Sequence, residues 1–386
     1  MFDKILVIAE SIDVNDSSGS KANMALILNL KALGYRVSVF HYTQKELQLE
    51  GIPCYAIKEN KRSINFILSR AQRIFTRITG IKLHRFFEGL FGFSFTFFND
   101  VQSIKKALLK EVNYKPDLVL TLSKGASFRP HYALVAIPKW HHIWMAYIHD
   151  PYPFHYYPKP YDWVEPGYLK KELFFKKVSE KAAYSAFPSQ LLKEWMGHYF
   201  PDFLKTGIVI PHQNFELTDG KEVELPTFFN TTKFNLLHAG NLMKQRSPKS
   251  LVEGFQLFLK KYPEAKKEAR LLLIGSASYH STMLAEYHKK IPEVFVKITN
   301  LPFTTVYKLQ QQVAVNIILE ATSDISPFLP GKFPHCVTAN KPILHVGPQK
   351  SETKRLLGEQ YPYSAAAEDI PKIASHIEKL YQLWIE

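Results

Sequence analysis

Short, branched apolar runs alternate with helical segments twice along this chain, and one stretch without periodicity separates the two series. The first series opens "KILVIAE", "SIDVNDSSGS", "KANMALILNLKALG", "YRVSVF". Met24, Ile27, Leu28, Leu30 and Leu33 recur near a 3.6-residue period, and Gly34 suits a helix end. The flanking runs read as buried strands, so the chain opens as a βαβ unit of a parallel sheet. Further strands are predicted at 116–123, 141–150, 183–189 and 206–212, with helices at 101–111 and 168–182. A second series starts at "FNLLHAGNL" and passes through "ARLLLIGS", a helix over 281–290, "VFVKITN", "VAVNIILEA" and "KPILHVG". The polar, turn-rich segment 213–233 between the two series is the predicted linker. The fold class is therefore α/β, with two Rossmann-like doubly wound domains facing a cleft: 1–212, then 234–368, then a closing helix over 369–386 that could pack on either half, including back on the first. A length of 386 residues suits two such domains.

Composition narrows the class. With 46% hydrophobic and 22% charged residues the chain reads as globular. No apolar run reaches the roughly 18 residues of a membrane span, and "MFDKILVIAE" lacks a leader pattern, so a cytoplasmic location is expected. Two cysteines, Cys54 and Cys336, lie far apart without metal-ligand spacing and read as reduced thiols. The formal charge of +14 asks for an anionic partner. Between Lys61 and Phe87 stand seven basic residues (Lys61, Arg62, Arg70, Arg73, Arg77, Lys82, Arg85) and no acidic one, interleaved with Ile67, Leu68, Ile74, Phe75, Ile78 and Phe86. Segment 61–87 is expected either to meet an anionic membrane surface, at the inner face of the membrane, or to be a helix with one core face and one solvated basic face. A nucleic-acid partner is not expected, because the basic residues concentrate in one segment and no binding motif accompanies them.

In open parallel sheets, ligands bind beyond the carboxyl ends of the strands. Four stretches qualify. "DSSGSKAN" puts Gly19, Ser20 and Lys21 at the start of the first helix, where backbone N–H groups can meet an anion. "YIHDPYPF" puts His149 and Asp150 at the end of an interior strand, where they can hydrogen-bond hydroxyl groups or steady developing charge. "LLHAGNLMKQRSPKS" carries Gly240, Asn241, Lys244 and Arg246, with Ser247 and Pro248 read as cap and first turn of the next helix, a setting for phosphate. "ISPFLPGKFPHCVTANKPIL" puts Lys332 at the start of a helix behind Phe328, Leu329 and Gly331, and the following amides complete a diphosphate cradle.

These stretches, in this order, resemble the GT-B glycosyltransferases, and more narrowly the retaining family 4. "SSGSKANMALILNLKALGYRVSVF" resembles the family's N-terminal glycine loop and helix, "HAGNLMKQRSPKSLVEGF" its first C-domain unit, and "LPGKFPHCVTANKPIL" its Lys-aromatic-x-Glu segment. The resemblance implies an acceptor-binding first domain and a nucleotide-sugar-binding second domain. It gives Arg246 the place of the diphosphate-binding lysine and sets Lys332 and 328–331 beside the donor phosphates. It brings Leu301 and Pro302 to the nucleotide base, His149 to the transferred sugar, and Gly19 with Ser20 and Lys21 to the phosphates and acceptor. It implies sugar transfer from a nucleotide diphosphate sugar to a glycan or lipid-linked acceptor in cell-surface polysaccharide or glycoconjugate synthesis, without a cofactor or a metal. No Asp-x-Asp motif occurs. The chain departs from the pattern at Asn241, where relatives carry a second basic residue, and at Pro327 and His335, where they carry glutamates. The second glutamate grips the ribose, a task His335 can share only as a single donor or acceptor. The alternatives are a glycosyltransferase-like binding protein without catalysis and a GT-B nucleotide-sugar epimerase.

Overall fold

The computed structural model describes residues 3–110, 115–215 and 223–386. Two compact units emerge: Met1–Tyr157 with Asp162–Phe215, and Pro158–Tyr161 with Glu216–Glu386. The boundary lies inside the predicted linker, of which 216–222 fall outside the described residues. The sequence did not show that the tetrapeptide 158–161 belongs to the second unit.

In the first unit the strands are β1 (Lys4–Ala9), β2 (Arg36–His41), β3 (Cys54–Ala56), β4 (Leu118–Leu122), β5 (Trp144–Tyr147), β6 (Tyr184–Phe187) and β7 (Gly207–Val209), in the all-parallel order β3-β2-β1-β4-β5-β6-β7. The helices are α1 (Ser18–Ala32), α2 (Ile64–Thr79), α3 (Leu83–Phe91), α4 (Phe95–Lys110), α5 (Arg129–Val135), α6 (Tyr168–Lys181), α7 (Gln190–Tyr199) and α8 (Asp202–Thr206). In β1 every residue after Lys4 is buried, as expected of an interior parallel strand covered on both faces. Ile5 stands level with Val37 on one side and Leu118 on the other. Leu6 and Ile8 join Val119, Phe97, Ile104 and Phe175 in a core under α4 and α6.

The second unit repeats the plan. Its strands are β8 (Phe234–Ala239), β9 (Ala269–Ile274), β10 (Val294–Lys297), β11 (Val315–Leu319), β12 (Ile325–Ser326), β13 (Ile343–Val346), β14 (Lys350–Ser351) and β15 (Ser364–Ala365). The main sheet runs β10-β9-β8-β11-β13-β15, and β12 pairs with β14 separately. Its helices are α9 (Lys249–Lys261), α10 (Ser281–Lys290), α11 (Phe303–Gln312), α12 (Phe333–Thr338), α13 (Glu352–Leu357) and α14 (Ile370–Ile385). Leu236, Leu271, Leu273 and Ile317 share a core with Phe255, Ile373 and Ile377. In both sheets the chain order reverses at one place, between β1 and β4 and between β8 and β11, which is where a doubly wound sheet opens a crevice for ligand.

Two expectations change, and the packing of the closing helix, left open by the sequence, is decided. The closing helix, which could have returned to the first half, packs as α14 on α9 through Ile373, whose side chain lies against Gly254. Segment 61–87 is not one helix: Gly80 takes φ 73° and ends α2 before α3 begins. The predicted strand 141–150 contracts to β5 because Pro138 starts a 3-10 turn running to Ile143. Cys54 and Cys336 are buried free thiols. Among the described residues no helix is long and apolar enough to cross a membrane.

Candidate functional site

In the second unit the site grows from the carboxyl ends of β8 and β11. Strand β8 ends at Ala239, and Gly240 turns the chain with φ +157°. A Cβ on Gly240 would lie 3.6 Å from Lys332 Nζ and 3.7 Å from His238 Nε2, so the bare glycine keeps open the space above those two nitrogens. Lys332, at the cap position of α12, turns its side chain inward. Its Nζ lies 3.0 Å from His238 Nδ1 and donates to Ile317 O at 3.2 Å. Burial is the main cause that lowers its pKa to about 7; the Arg246 charge pushes the same way, against Cys336 and Glu320. Burial, then the charges of Lys332 and Arg246, hold the fully buried His238 well below the ordinary imidazole value. With Lys332 charged, its ammonium donates to Nδ1, so the neutral ring carries its proton on Nε2.

That Nε2 is buried and has no hydrogen-bond partner among the described residues, and neither has Arg246 Nε. Arg246 Nη1 donates to Asn241 O at 3.3 Å, folding the arginine back over the loop after β8. Buried N–H groups left without acceptors are costly, at about 1–3 kcal/mol each, unless a ligand supplies the acceptor. The arrangement suits an oxyanion.

Two details of the predicted cradle are revised. Helix α12 has six residues and Phe333 N is taken by Pro330 O at 2.8 Å, so the field there comes from the Lys332 charge rather than from a helix end. Ser247 and Pro248 precede α9, with Pro248 at the cap position and no side-chain cap bond. His335 is buried against Phe303 and Tyr307, ring centroids 5.3 and 5.5 Å away. Leu301 and Pro302 lead directly into that same helix α11, so the two stretches assigned to nucleoside contacts are neighbours. Leu329 is buried, Gly331 is half-buried, and Phe328 meets Tyr161 edge to face at 5.9 Å.

Sequence reasoning missed the polar residues beneath this surface. Glu320 and His345, both buried, are joined at 2.6 Å between Glu320 Oε2 and His345 Nε2. Ser326 Oγ donates to Glu320 Oε1 at 2.8 Å, and His345 Nδ1 meets Ser364 Oγ at 2.9 Å. Each of "LLHAG", "IILEA" and "ILHVG" places one ionisable residue near the carboxyl end of an apolar strand, and that was the available signal.

The first unit has its own strand-end cluster. Gly19 lies so close to the loop after β4 that a Cβ there would stand 2.8 Å from Gly125 N. The Ser20 amide donates to Ser17 Oγ at 3.1 Å and the Lys21 amide to Ser17 O at 3.2 Å, so these two N–H groups serve the helix cap, as in an ordinary capped βα turn, rather than a ligand. The buried Ser20 hydroxyl meets Ser17 Oγ at 2.8 Å, and burial lowers the Lys21 pKa. His149 Nε2 lies 2.9 Å from Asn23 Oδ1, while Asn23 Nδ2 donates to Ser11 O and Ser123 O, both at 3.1 Å. Asn23 thus offers only an acceptor, so His149 carries its proton on Nε2 and presents Nδ1 as a lone pair. Burial, with His212 and His131 beside it, keeps His149 neutral. Burial raises Asp150 to about 6, and its Oδ2 lies 3.3 Å from where a Cβ on Gly125 would be. Glu10, also unforeseen, accepts from Arg129 Nη1 at 2.7 Å and from Lys124 N at 3.1 Å, tying the ends of β1 and β4. Among the described residues no group of three or more His, Cys, Asp or Glu side chains could hold a metal ion.

No protein-family model and no curated protein sequence matches the chain. Solved structures match it over nearly its whole length. A trehalose-6-phosphate synthase, OtsA, is 10% identical, with 99% of this chain and 91% of that one covered and a TM-score of 0.65. A UDP-forming α,α-trehalose-phosphate synthase from Burkholderia xenovorans is 12% identical, with 99% and 91% covered and a TM-score of 0.60. HepE from Anabaena, solved in complex with UDP and glucose, is 12% identical, with 98% and 90% covered and a TM-score of 0.56. The shared architecture is the GT-B fold of glycosyltransferases, with two Rossmann-like domains. At these identities the likeness carries the fold.

Proposed function

We propose that the chain is a glycosyltransferase that moves a sugar from a nucleotide diphosphate sugar to a glycan or lipid-linked acceptor, with retention at the anomeric carbon and without a metal, in the manner of family 4. The observation that carries this reading is the group around Gly240: a desolvated lysine, a neutral histidine and an arginine, two of them with a buried nitrogen, His238 Nε2 and Arg246 Nε, that has no acceptor among the described residues. A diphosphate supplies those acceptors and the negative charge that Lys332 and Arg246 answer. The HepE complex with UDP and glucose supports a uridine nucleotide as the first donor to try.

In the proposed reaction the bond between the anomeric carbon and the diphosphate oxygen breaks, and its electron pair stays on the diphosphate. The acceptor oxygen forms the new bond on the same face, and its proton passes to the departing phosphate oxygen. Preorganised donors at the leaving group then supply the main stabilisation of the transition state. His149 and Asp150, at the strand ends of the first unit, are assigned to acceptor and sugar hydroxyls. A neutral imidazole and a carboxyl group titrating near 6 suit hydrogen bonding there.

Thermal-shift measurements with nucleoside diphosphates test donor binding. A cognate ligand at a hundredfold excess over its Kd stabilises by about 2.7 kcal/mol, and Arg246→Ala is expected to abolish that shift. The absence of a shift from every nucleoside diphosphate would sink the reading. Turnover of a nucleotide-sugar panel, unchanged by chelator, is expected to follow. A second reading rests on Pro327 and His335 standing where the family carries glutamates: a shift without sugar release would make the chain a nucleotide-sugar binding protein.

A further inference from the structure

Helix α2 is amphipathic and turned the wrong way round for a soluble protein. Ile64, Ile67, Leu68, Ile74, Phe75 and Ile78 recur at three- and four-residue spacing and form one stripe, the pattern that normally faces a core. Here the stripe faces solvent: Ile64 is 75% exposed, Ile67 60%, Ile74 60% and Ile78 77%. The only buried residue of α2 is Ser69, on the opposite side. That polar side is bound to α4, through Ser63 Oγ on Asn99 and through Arg73 Nη2 donating to Thr96 Oγ1 at 3.0 Å. Helix α3 buries no residue, and Phe86, Leu90 and Phe91 are exposed with Ile81 in the turn before it. An amphipathic helix held by its polar side presents its apolar side for another phase.

Charge decides which phase. Arg70, Arg77 and Arg85 are exposed on the same two helices, Lys61, Arg62 and Lys82 are exposed in the turns that lead into them, and no acidic residue interrupts them before Glu88. A second copy of this chain seated here about a two-fold axis would press one set of cations on its twin. An anionic bilayer answers both features, accepting the isoleucine and phenylalanine side chains at the acyl boundary and the cations among the headgroups. Where α2 begins, the surface meets a recess of about 540 Å³ at the carboxyl ends of β2 and β3, bordered by Lys45, Lys58, Lys61 and Arg62 and by Glu46 and Glu59. The recess lies at the carboxyl end of the sheet, the end at which doubly wound sheets open their ligand crevice.

We propose that α2 and α3 together form a docking surface that seats the protein on an anionic lipid bilayer. The alternative of a core-facing helix, open at the sequence level, is overturned by the exposure of the apolar stripe. The proposal stands apart from the sugar-transfer reading and fails separately from it.

The test is flotation of the full chain with vesicles of phosphatidylcholine alone and of phosphatidylcholine mixed with phosphatidylglycerol. The protein is expected to float with the anionic vesicles and to stay behind with the neutral ones. Ile74→Ser/Ile78→Ser and Arg70→Gln/Arg77→Gln are each expected to lower binding by about tenfold or more. All four side chains are exposed, so the thermal melts should match that of the parent. Failure of the parent to float with anionic vesicles, or flotation undiminished in both double variants, overturns the proposal. So does a parent dimer in light scattering that Ile74→Ser/Ile78→Ser splits without any vesicle binding, since that assigns the face to a second copy.

Discussion

Replacing Lys332 by methionine is expected to lower kcat for sugar transfer by roughly a hundred- to a thousandfold, the range seen when one preorganised donor is removed from a developing anion. The melting temperature should move little, because two effects oppose each other. Burying the ammonium works against folding, as its lowered pKa shows, and methionine removes that burden. The same change leaves His238 Nδ1 and Ile317 O without the Lys332 donor they have now, at about 1–3 kcal/mol. A kcat within threefold of the parent would remove Lys332 from the mechanism.

The pKa of about 7 gives the same residue a pH signature. In the unfolded chain a lysine titrates near 10.5, so below pH 7 it is charged in both states and the penalty of burying it is fully present. Between about 7 and 10.5 the unfolded chain binds the extra proton, and the free protein therefore gains stability at this site as pH rises. A bound diphosphate favours the charged form and draws the pKa back up. Nucleoside diphosphate binding should then take up about one proton at pH 8, and affinity should fall by up to tenfold per pH unit above 7. Calorimetry in two buffers of different ionisation enthalpy measures that proton, and Lys332→Met should abolish the uptake.

The sheets and the site were legible in the sequence to different depths. Helix α10 occupies 281–290 as predicted, and α6 at Tyr168–Lys181 differs from 168–182 by one residue, because periodicity over three turns is a local property. Strand β3 went unseen because three residues in "GIPCYAIKEN" carry no pattern of their own and are held by Val39, Phe40 and His41 alongside. The stripe on α2 was visible, but its direction was not: which way an amphipathic helix faces depends on what its neighbour α4 offers. The site shows the same limit. Lys332 stood out by composition, whereas its partner His238, 94 positions earlier, is brought to it only by the pairing of β8 with β11. A residue's type can be read from the sequence, but whether its nitrogen is buried, partnered or left open is a property of the assembled sheet.

That sheet geometry also fixes the stability prediction with the largest expected effect, which falls on Gly275. The residue follows β9, takes φ +134°, and carries no side chain where the loop after β8 passes. A Cβ there would stand 2.4 Å from Gly240 O and 2.7 Å from Gly240 C. Those are backbone atoms held by Gly240 N donating to Ile274 O and Leu242 N donating to Ser276 O, both at 2.8 Å, so they cannot swing aside as the end of a side chain would. Gly275→Ala is expected to lose about 3 kcal/mol or more, from backbone strain plus overpacking. Because the displaced atoms belong to Gly240, the same substitution should disturb the space above Lys332 and weaken nucleoside diphosphate binding. Gly358→Ala separates the two causes: it has φ +100° and nothing within 4 Å of the added atom, so it should show strain alone, about 1–2 kcal/mol, with binding intact. Equal melts for the two variants, with equal nucleotide shifts, would mean that the loops after β8 and β9 do not meet at Gly240 and Gly275, and the open floor of the anion site would lose its structural cause.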